Sequence, residues 1–110
     1  LRFVKHFKNY IAEEKAYTNK KELANFGLPY FNQQKNILEF NLDKFEDYLH
    51  RQKVNLSRVD LVIKCQNILK AKKNHGRFDG KSCVSWRMLN QTIDTEDLII
   101  EGEYKEVTNE

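Results

Sequence analysis

Residues 42–88 decide the fold, because the sequence changes its pattern three times within them; they read LDKFEDYLHRQKVNLSRVDLVIKCQNILKAKKNHGRFDGKSCVSWRM. Apolar residues at three- and four-residue intervals predict a helix over 42–52, which Asn41 would cap. The same spacing predicts a second helix over 55–69, capped by Asn55. This second helix is the most apolar element of the chain, so we expect it to pack centrally.

The next segment, residues 70–81, has the opposite character. It contains five basic residues, one acidic residue and two glycines, which indicates a basic, glycine-containing loop. Residues 83–88 then combine aromatic and β-branched side chains, which predicts a strand. Trp86 within this strand is expected to belong to the core, because large aromatic side chains mostly serve packing.

The first forty residues predict two more helices and a small hairpin. An amphipathic helix is expected over 1–15. Thr18 or Asn19 can cap a second short helix, which Gly27 ends. Two apolar-aromatic runs around a polar turn predict a hairpin over 28–40. Four phenylalanines are expected in the core: Phe3, Phe7, Phe40 and Phe45.

Charge is distributed unevenly along the 110 residues, whose net charge is +3. Residues 93–110 hold seven acidic residues against one lysine, a net charge of −6, so the other 92 residues carry +9. A basic body with an acidic tail indicates a polyanionic partner. We therefore divide the chain into a domain over 1–92 and an acidic C-terminal tail over 93–110, with one short strand predicted at 98–100.

The sequence carries no pattern typical of an enzyme or a metal site. Cys65 and Cys83 lack the ligand spacing of zinc sites and are expected to be buried, reduced thiols. No glycine pattern of a nucleotide-binding or nucleophile-elbow type is present, so we expect no catalytic residues and no cofactor. No membrane span or secretory signal is visible, and the chain does not begin with Met. We expect a cytoplasmic domain excised from a longer protein, with no membrane partner.

Two consecutive helices followed by a basic hairpin are typical of a winged helix-turn-helix, in which the hairpin is the wing. The predicted fold is therefore α+β, mainly helical, with one or two small β-hairpins. The expected partner is DNA, duplex or forked, and another replication protein is an alternative partner. Candidate nucleic-acid-binding residues, from the second helix, the basic loop and the strand, are Ser57, Arg58, Lys64, Lys70, Lys72, Lys73, Asn74, His75, Arg77, Lys81 and Arg87.

Other interpretations of these residues stay open. The basic loop could be a solvated hairpin that keeps the protein soluble. Arg58 and Lys64 could form ion pairs with Asp60 or with the acids of helix 42–52. Asp60 also lies on the face proposed for DNA, which disfavours base readout by this helix. Contacts to the nucleic-acid backbone, which the basic loop would make, are therefore favoured over sequence-specific binding.

A family resemblance rests on the aromatic and aliphatic spacing of residues 26–89. Its segments are Phe26-Gly27, Asn36–Phe40, Phe45–Leu49, Asn55–Val59 leading into Ile68-Leu69, and Val84–Arg87. The chain here resembles the C-terminal winged-helix domains that follow the ATPase or primase core of replication proteins from mobile elements and phages. The resemblance implies DNA replication as the process, contact of wing and second helix with origin or forked DNA, and a nucleotide site outside this chain.

Two further hypotheses belong to other functional classes. The chain could be a protein-docking module or a transcription-regulator type of winged helix, with helix 1–15 or the acidic tail as a contact. Exposure of Phe3, Phe7 and Ile11 would favour docking. Alternatively, the tail could lie on the basic loop and inhibit DNA binding.

Overall fold

Four helices and six strands lie in the part of the chain that the computed structural model describes, residues 2–89 and 99–100. The fold is α+β, as predicted, and each hairpin and helix of the prediction has a counterpart. The helices are α1 (Arg2–Glu14), α2 (Lys20–Phe26), α3 (Leu42–Arg51) and α4 (Arg58–Asn67). The strands are β1 (Ala16–Tyr17), β2 (Tyr30–Asn32), β3 (Ile37–Phe40), β4 (Lys72–Phe78), β5 (Lys81–Leu89) and β6 (Ile99–Ile100).

All six of these strands join one mixed sheet in the order β4-β5-β3-β2-β1-β6. The pairs β4–β5, β5–β3 and β3–β2 are antiparallel, whereas β1 is parallel to both β2 and β6. The sheet is thus larger than the one or two small hairpins expected from the sequence. The difference arises because β3 pairs with β5, which merges the two hairpins, and because β1 is too short to show a period of two. Strand β6 matches the short strand predicted at 98–100.

Helix ends follow the local capping residues at two places. The Asn19 side chain accepts a hydrogen bond from the backbone N–H of Lys21, and Gly27 closes α2 in the left-handed conformation with φ 71°. The Asn41 side chain accepts from the backbone N–H of Lys44 at 3.0 Å and begins α3. These caps were predicted, because a cap is decided by residues close in sequence.

Helix α4 differs from its prediction in position and in burial. It begins after Ser57, whose hydroxyl accepts a hydrogen bond from the backbone N–H of Asp60 at 3.1 Å, so Asn55 is not its cap. The residues before Ser57 form a link in which Val54 and Leu56 pack against the core. Within α4 only Leu61 and Cys65 are buried, and the prediction that this helix packs centrally is wrong.

The central helix is α1. Phe7 of α1 is fully buried, and its ring lies edge-on to Phe40 of β3 and Phe45 of α3, with centroid distances of 4.9 and 5.2 Å. Phe3 and Ile11 of the same helix face are also buried, and Trp86 completes the cluster from β5. The core positions predicted for these aromatic residues are confirmed, and the apolar face of α1 is not a free surface.

A second helical layer covers the opposite face of the sheet. Helix α2 contacts both β2 and β4, which are separated in the sheet by β3 and β5. Leu23 of α2, Tyr17 and Cys83 are buried but do not belong to the main core cluster. Since neighbouring residues of a strand point to opposite faces, this placement puts α2 across the face to which Glu39 and Arg87 point.

Most of the segment predicted as a basic loop is strand. Seven residue pairs join β4 to β5, from Lys72 with Arg87 to Phe78 with Lys81. The connection is the two-residue turn Asp79-Gly80, with φ 55° and 79°, which is the type I′ geometry favoured in tight hairpins. Pairing of β5 with β3 stops at Trp86, so the outer part of the hairpin extends beyond the sheet.

Because Phe7 occupies the centre of the aromatic cluster, we expect Phe7→Ala to lower the free energy of unfolding by about 3–5 kcal/mol. Phe26→Ala is the matched control, since that ring is 59% exposed, and it should change the free energy by less than about 1 kcal/mol. Urea unfolding measures both. Equal losses in the two variants would contradict the packing described here.

Cys65 and Cys83 are free and buried, as predicted, and burial raises the pKa of the Cys65 thiol to about 12, against a small lowering by Arg58. The folded state therefore keeps the thiol proton at a pH where the unfolded state releases it. This contribution to stability is complete below pH 9.0 and is lost as the pH rises toward about 12. We expect urea unfolding midpoints to fall more steeply above pH 9.0 in the wild type than in Cys65→Ala. Identical slopes would refute the linkage.

Candidate nucleic-acid interface

The β4–β5 hairpin carries a stripe of exposed basic side chains on one face. Lys73, His75 and Arg77 alternate along β4 and are all exposed. They share a face because successive side chains of a strand point in opposite directions. Their partners on β5, Trp86, Val84 and Ser82, contribute no acidic group. The outer hairpin therefore presents positive charge to solvent along about 13 Å, the length of four strand intervals.

At the base of this hairpin lies a cleft of about 400 Å3, which we call the root cleft. Lys70, Lys72, Lys73 and Arg87 supply its charged lining, with Asn74 beside them. Among the described residues, its remaining lining is apolar and no acid contributes to it. Five of the predicted site residues, including all those of β4 apart from His75 and Arg77, thus line the root cleft. An adjoining opening shares the three lysines and extends to Gln66 of α4.

Arg87 forms an ion pair with a buried acid. It lies directly opposite Glu39 in the pairing of β5 with β3, and its Nε is 3.3 Å from Glu39 Oε2. The hydroxyl of Ser85 donates to Glu39 Oε1 at 2.8 Å, and Glu39 is only 2% exposed. Burial raises the pKa of neighbouring Tyr30, and the Glu39 carboxylate adds to that rise. The arrangement orients the Arg87 guanidinium and offsets part of its charge.

The other predicted site residues occupy different surroundings. Ser57 is used as the cap of α4, and Arg58 is held by Asp43 and Glu46 at 2.9 and 2.6 Å. The ion pair with Glu46 was one of the alternatives for Arg58. Lys64 lines a separate cleft. Three predicted residues lie on the outer hairpin, exposed: His75, Arg77, whose guanidinium donates to the Gly80 carbonyl at 2.9 Å, and Lys81.

Much of the solvent-facing surface of α4 is apolar or acidic. Val59 is 68% exposed and Ile63 is 45% exposed, and Asp60 lies between them. The basic groups of α4 are Arg58, which two carboxylates hold, and the partly exposed Lys64, and its amides lie near its end. Few of its exposed positions therefore offer the free arginines, lysines and amides expected of a helix that reads bases.

None of the described helices has the length and apolar character needed to cross a membrane. Within residues 2–89, no group of three or more His, Cys, Asp or Glu side chains is arranged to hold a metal ion. The arrangement here is a set of cationic side chains around two openings and a projecting strand pair, which suits binding of an extended anion.

Comparisons with protein-family models, with curated protein sequences and with solved structures give no match for this chain.

Replacing Glu39 by Gln keeps the acceptor for Ser85 but leaves Arg87 without its buried counter-charge. We expect Glu39→Gln to lower the free energy of unfolding by about 1–3 kcal/mol, less than for a fully buried pair because Arg87 is partly exposed. Glu13→Gln breaks an exposed ion pair with Arg51 and should change it by less than about 1 kcal/mol. Urea unfolding compares the two, and a larger effect of Glu13→Gln would show that Glu39 is not the stabilising acid.

Proposed function

We propose that this chain is a winged-helix DNA-binding domain that contacts the nucleic-acid backbone through the β4–β5 hairpin and the root cleft. The order of elements supports the winged-helix assignment. Helix α1 precedes a strand, β3, which is followed by the helix pair α3–α4 and then by the hairpin. The hairpin follows the second helix of the pair in the chain, and in the sheet β5 lies between β3 and β4, which is the order expected of a wing.

The single observation that carries the proposal is the unpaired basic charge on the hairpin. Lys72, Lys73, His75 and Lys81 form no ion pair within the described residues, and Asp79 is the one acid of β4, β5 and their turn. Arg51 and Arg58, by contrast, are paired with acids. Cations held apart from acids on a projecting strand suit the phosphates of a nucleic acid, whose counterions they displace.

Backbone contact is favoured over base readout. Arg58, the best candidate for a base contact on α4, is engaged by two carboxylates. The exposed positions Val59, Asp60 and Ile63 offer little that recognises a base edge. We therefore propose binding that depends on shape and charge, at a duplex or a fork, and that varies little with sequence.

The place of this domain in a larger protein follows from the family resemblance and is part of the proposal. We propose an accessory domain of a replication protein whose catalytic activity lies in another domain, and no enzymatic activity for this one. Docking through the apolar face of α1 is not proposed, since Phe3, Phe7 and Ile11 are buried in the core. The described residues of the tail form β6, at the sheet edge opposite β4; the rest of the tail lies outside the described residues.

Reversing charge on the hairpin tests the proposal. In the double variant Lys73→Glu with Arg77→Glu, affinity for a fluorescent duplex and fork should fall roughly 10- to 100-fold at low salt. The slope of log affinity against log salt should fall by about two, because two phosphate contacts are lost. Fluorescence anisotropy at several salt concentrations measures both quantities.

The matched control is Lys20→Glu with Lys21→Glu at the start of α2. It makes the same change in net charge, and acids at a helix N-terminus are compatible with folding. Its affinity should fall only slightly. Wild-type protein that fails to bind at low salt, or equal losses in the two double variants, would rule out the hairpin as the binding surface.

A further inference from the structure

A second opening without acids lies on the other side of α4. We call it the link cleft; it measures about 370 Å3, and Arg2, His6, Lys53 and Lys64 supply its cationic and imidazole groups. Arg2 and His6 lie one helical turn apart on α1, whereas Lys53 and Lys64 come from the α3–α4 link and from α4. None of the four makes an ion pair within the described residues. Of these four residues, only Lys64 was predicted as a site residue from the sequence. Tertiary packing brings the other three to the cleft.

The absence of acids distinguishes the link cleft from a mixed-charge surface. Another opening nearby in the fold, at the α2–α3 corner, combines Glu14 and Asp47 with Lys44 and Arg51. The link cleft instead shares its charge character with the root cleft. Its floor is apolar, from Phe3, Val54 and Leu56. A cation-lined opening with no carboxylate to neutralise it suits an anionic group such as a phosphate.

The link cleft and the opening that adjoins the root cleft lie against opposite sides of α4. Lys64 lines the link cleft, and Gln66 lines the opening that adjoins the root cleft. Residues two apart on a helix point about 200° away from each other, so these side chains leave α4 in nearly opposite directions. A helix with its side chains is about 10–12 Å wide, which is close to the roughly 12 Å width of the DNA major groove. Phosphates held on the two sides of α4 would therefore be separated by this helix, as the two backbones of a duplex are separated by its major groove.

The lysines at the two clefts share a backbone feature. Lys53 and Lys70 follow α3 and α4 in the left-handed conformation, with φ 61° and 58°. Lys15 follows α1 in the same conformation, with φ 63°, but it lines neither cleft. Glycine adopts this conformation without the steric cost that a side chain brings. The chain thus contains two lysines at clefts and one elsewhere that are matched in charge and in backbone geometry.

We propose that the link cleft is a second phosphate-binding site, and that the two clefts together select duplex DNA by holding one strand each. This inference rests on the proposed function, since it assigns the root cleft to the first strand. A flexible single strand must lose conformational entropy to span both clefts, whereas the two backbones of a duplex are already held apart, so a single strand gains less from the second cleft. The link cleft therefore contributes more to duplex affinity than to single-strand affinity.

Three glycine variants test this inference: Lys53→Gly, Lys70→Gly and Lys15→Gly. Each removes one charge and relieves one left-handed side chain, so each should raise Tm by about 2–6 °C. Lys53→Gly should nevertheless weaken duplex binding about three- to tenfold and reduce its salt slope by about one, with a smaller loss of single-strand binding. Lys15→Gly should leave both affinities nearly unchanged. Gain of stability with loss of affinity cannot come from damage to the fold.

Lys70→Gly separates failure of this inference from failure of the proposed function. It should weaken binding of both the duplex and one of its isolated strands. If it does, while Lys53→Gly and Lys64→Gln bind duplex as tightly as Lys15→Gly, the link cleft is not a phosphate site and the root cleft still is. If Lys70→Gly changes neither affinity, the root cleft itself is excluded. Equal loss of duplex and single-strand binding in Lys53→Gly would overturn selection for duplex.

Discussion

Four residue pairs between β3 and β5 connect the two halves of the molecule. Ile37–Phe40 pair with Trp86–Leu89, which joins the N-terminal strands to the C-terminal hairpin in one sheet. On one face these strands bring Phe40 beside Trp86 in the core. On the other face they bring Glu39 beside Arg87. Because β3 ends at Phe40 and Asn41 caps the next helix, the same pairing determines where α3 begins and how much of the hairpin lies beyond the sheet.

Features decided by neighbouring residues could be predicted from the sequence, and features decided by packing could not. The caps at Asn19 and Asn41 were predicted because each side chain bonds to a backbone N–H two or three residues away. The start of α4 was not, since Asn55 and Ser57 are both good caps. The choice between them follows from the link, where Val54 and Leu56 pack against the core and hold the chain extended until Ser57. The spacing of apolar residues alone predicts that Leu56 belongs to the helix.

The candidate site shows the same division. The basic residues of 70–81 were recognised as a group because they are consecutive, but their strand was missed because β4 has few apolar residues. Asp79-Gly80 was the available signal, since this dipeptide favours a type I′ hairpin turn. Glu39 was missed for another reason. It alternates with Leu38 and Phe40, which places it on the face away from the main core, and only the presence of α2 on that face buries it.

Charge and conformation are organised by the same few elements. Acids of α1 and α3 hold Arg51 and Arg58, whereas cations that form no ion pair with any described residue line the clefts beside α4 and the exposed face of β4. Helix α4 contributes only two buried residues to the core and lies between two basic surfaces. Its outward side chains Val59 and Ile63 are exposed, although their apolar character favours burial.

The two-residue turn at Asp79-Gly80 has a consequence for the thermodynamics of binding. A flexible basic loop must lose conformational entropy when its side chains are brought into line with an anionic ligand, and this loss subtracts from affinity. In a hairpin closed by a tight turn and paired along all of β4, the backbone has already lost that entropy during folding. Lys73, His75 and Arg77 therefore keep their spacing before any ligand arrives, and only their side-chain rotamers remain to be ordered.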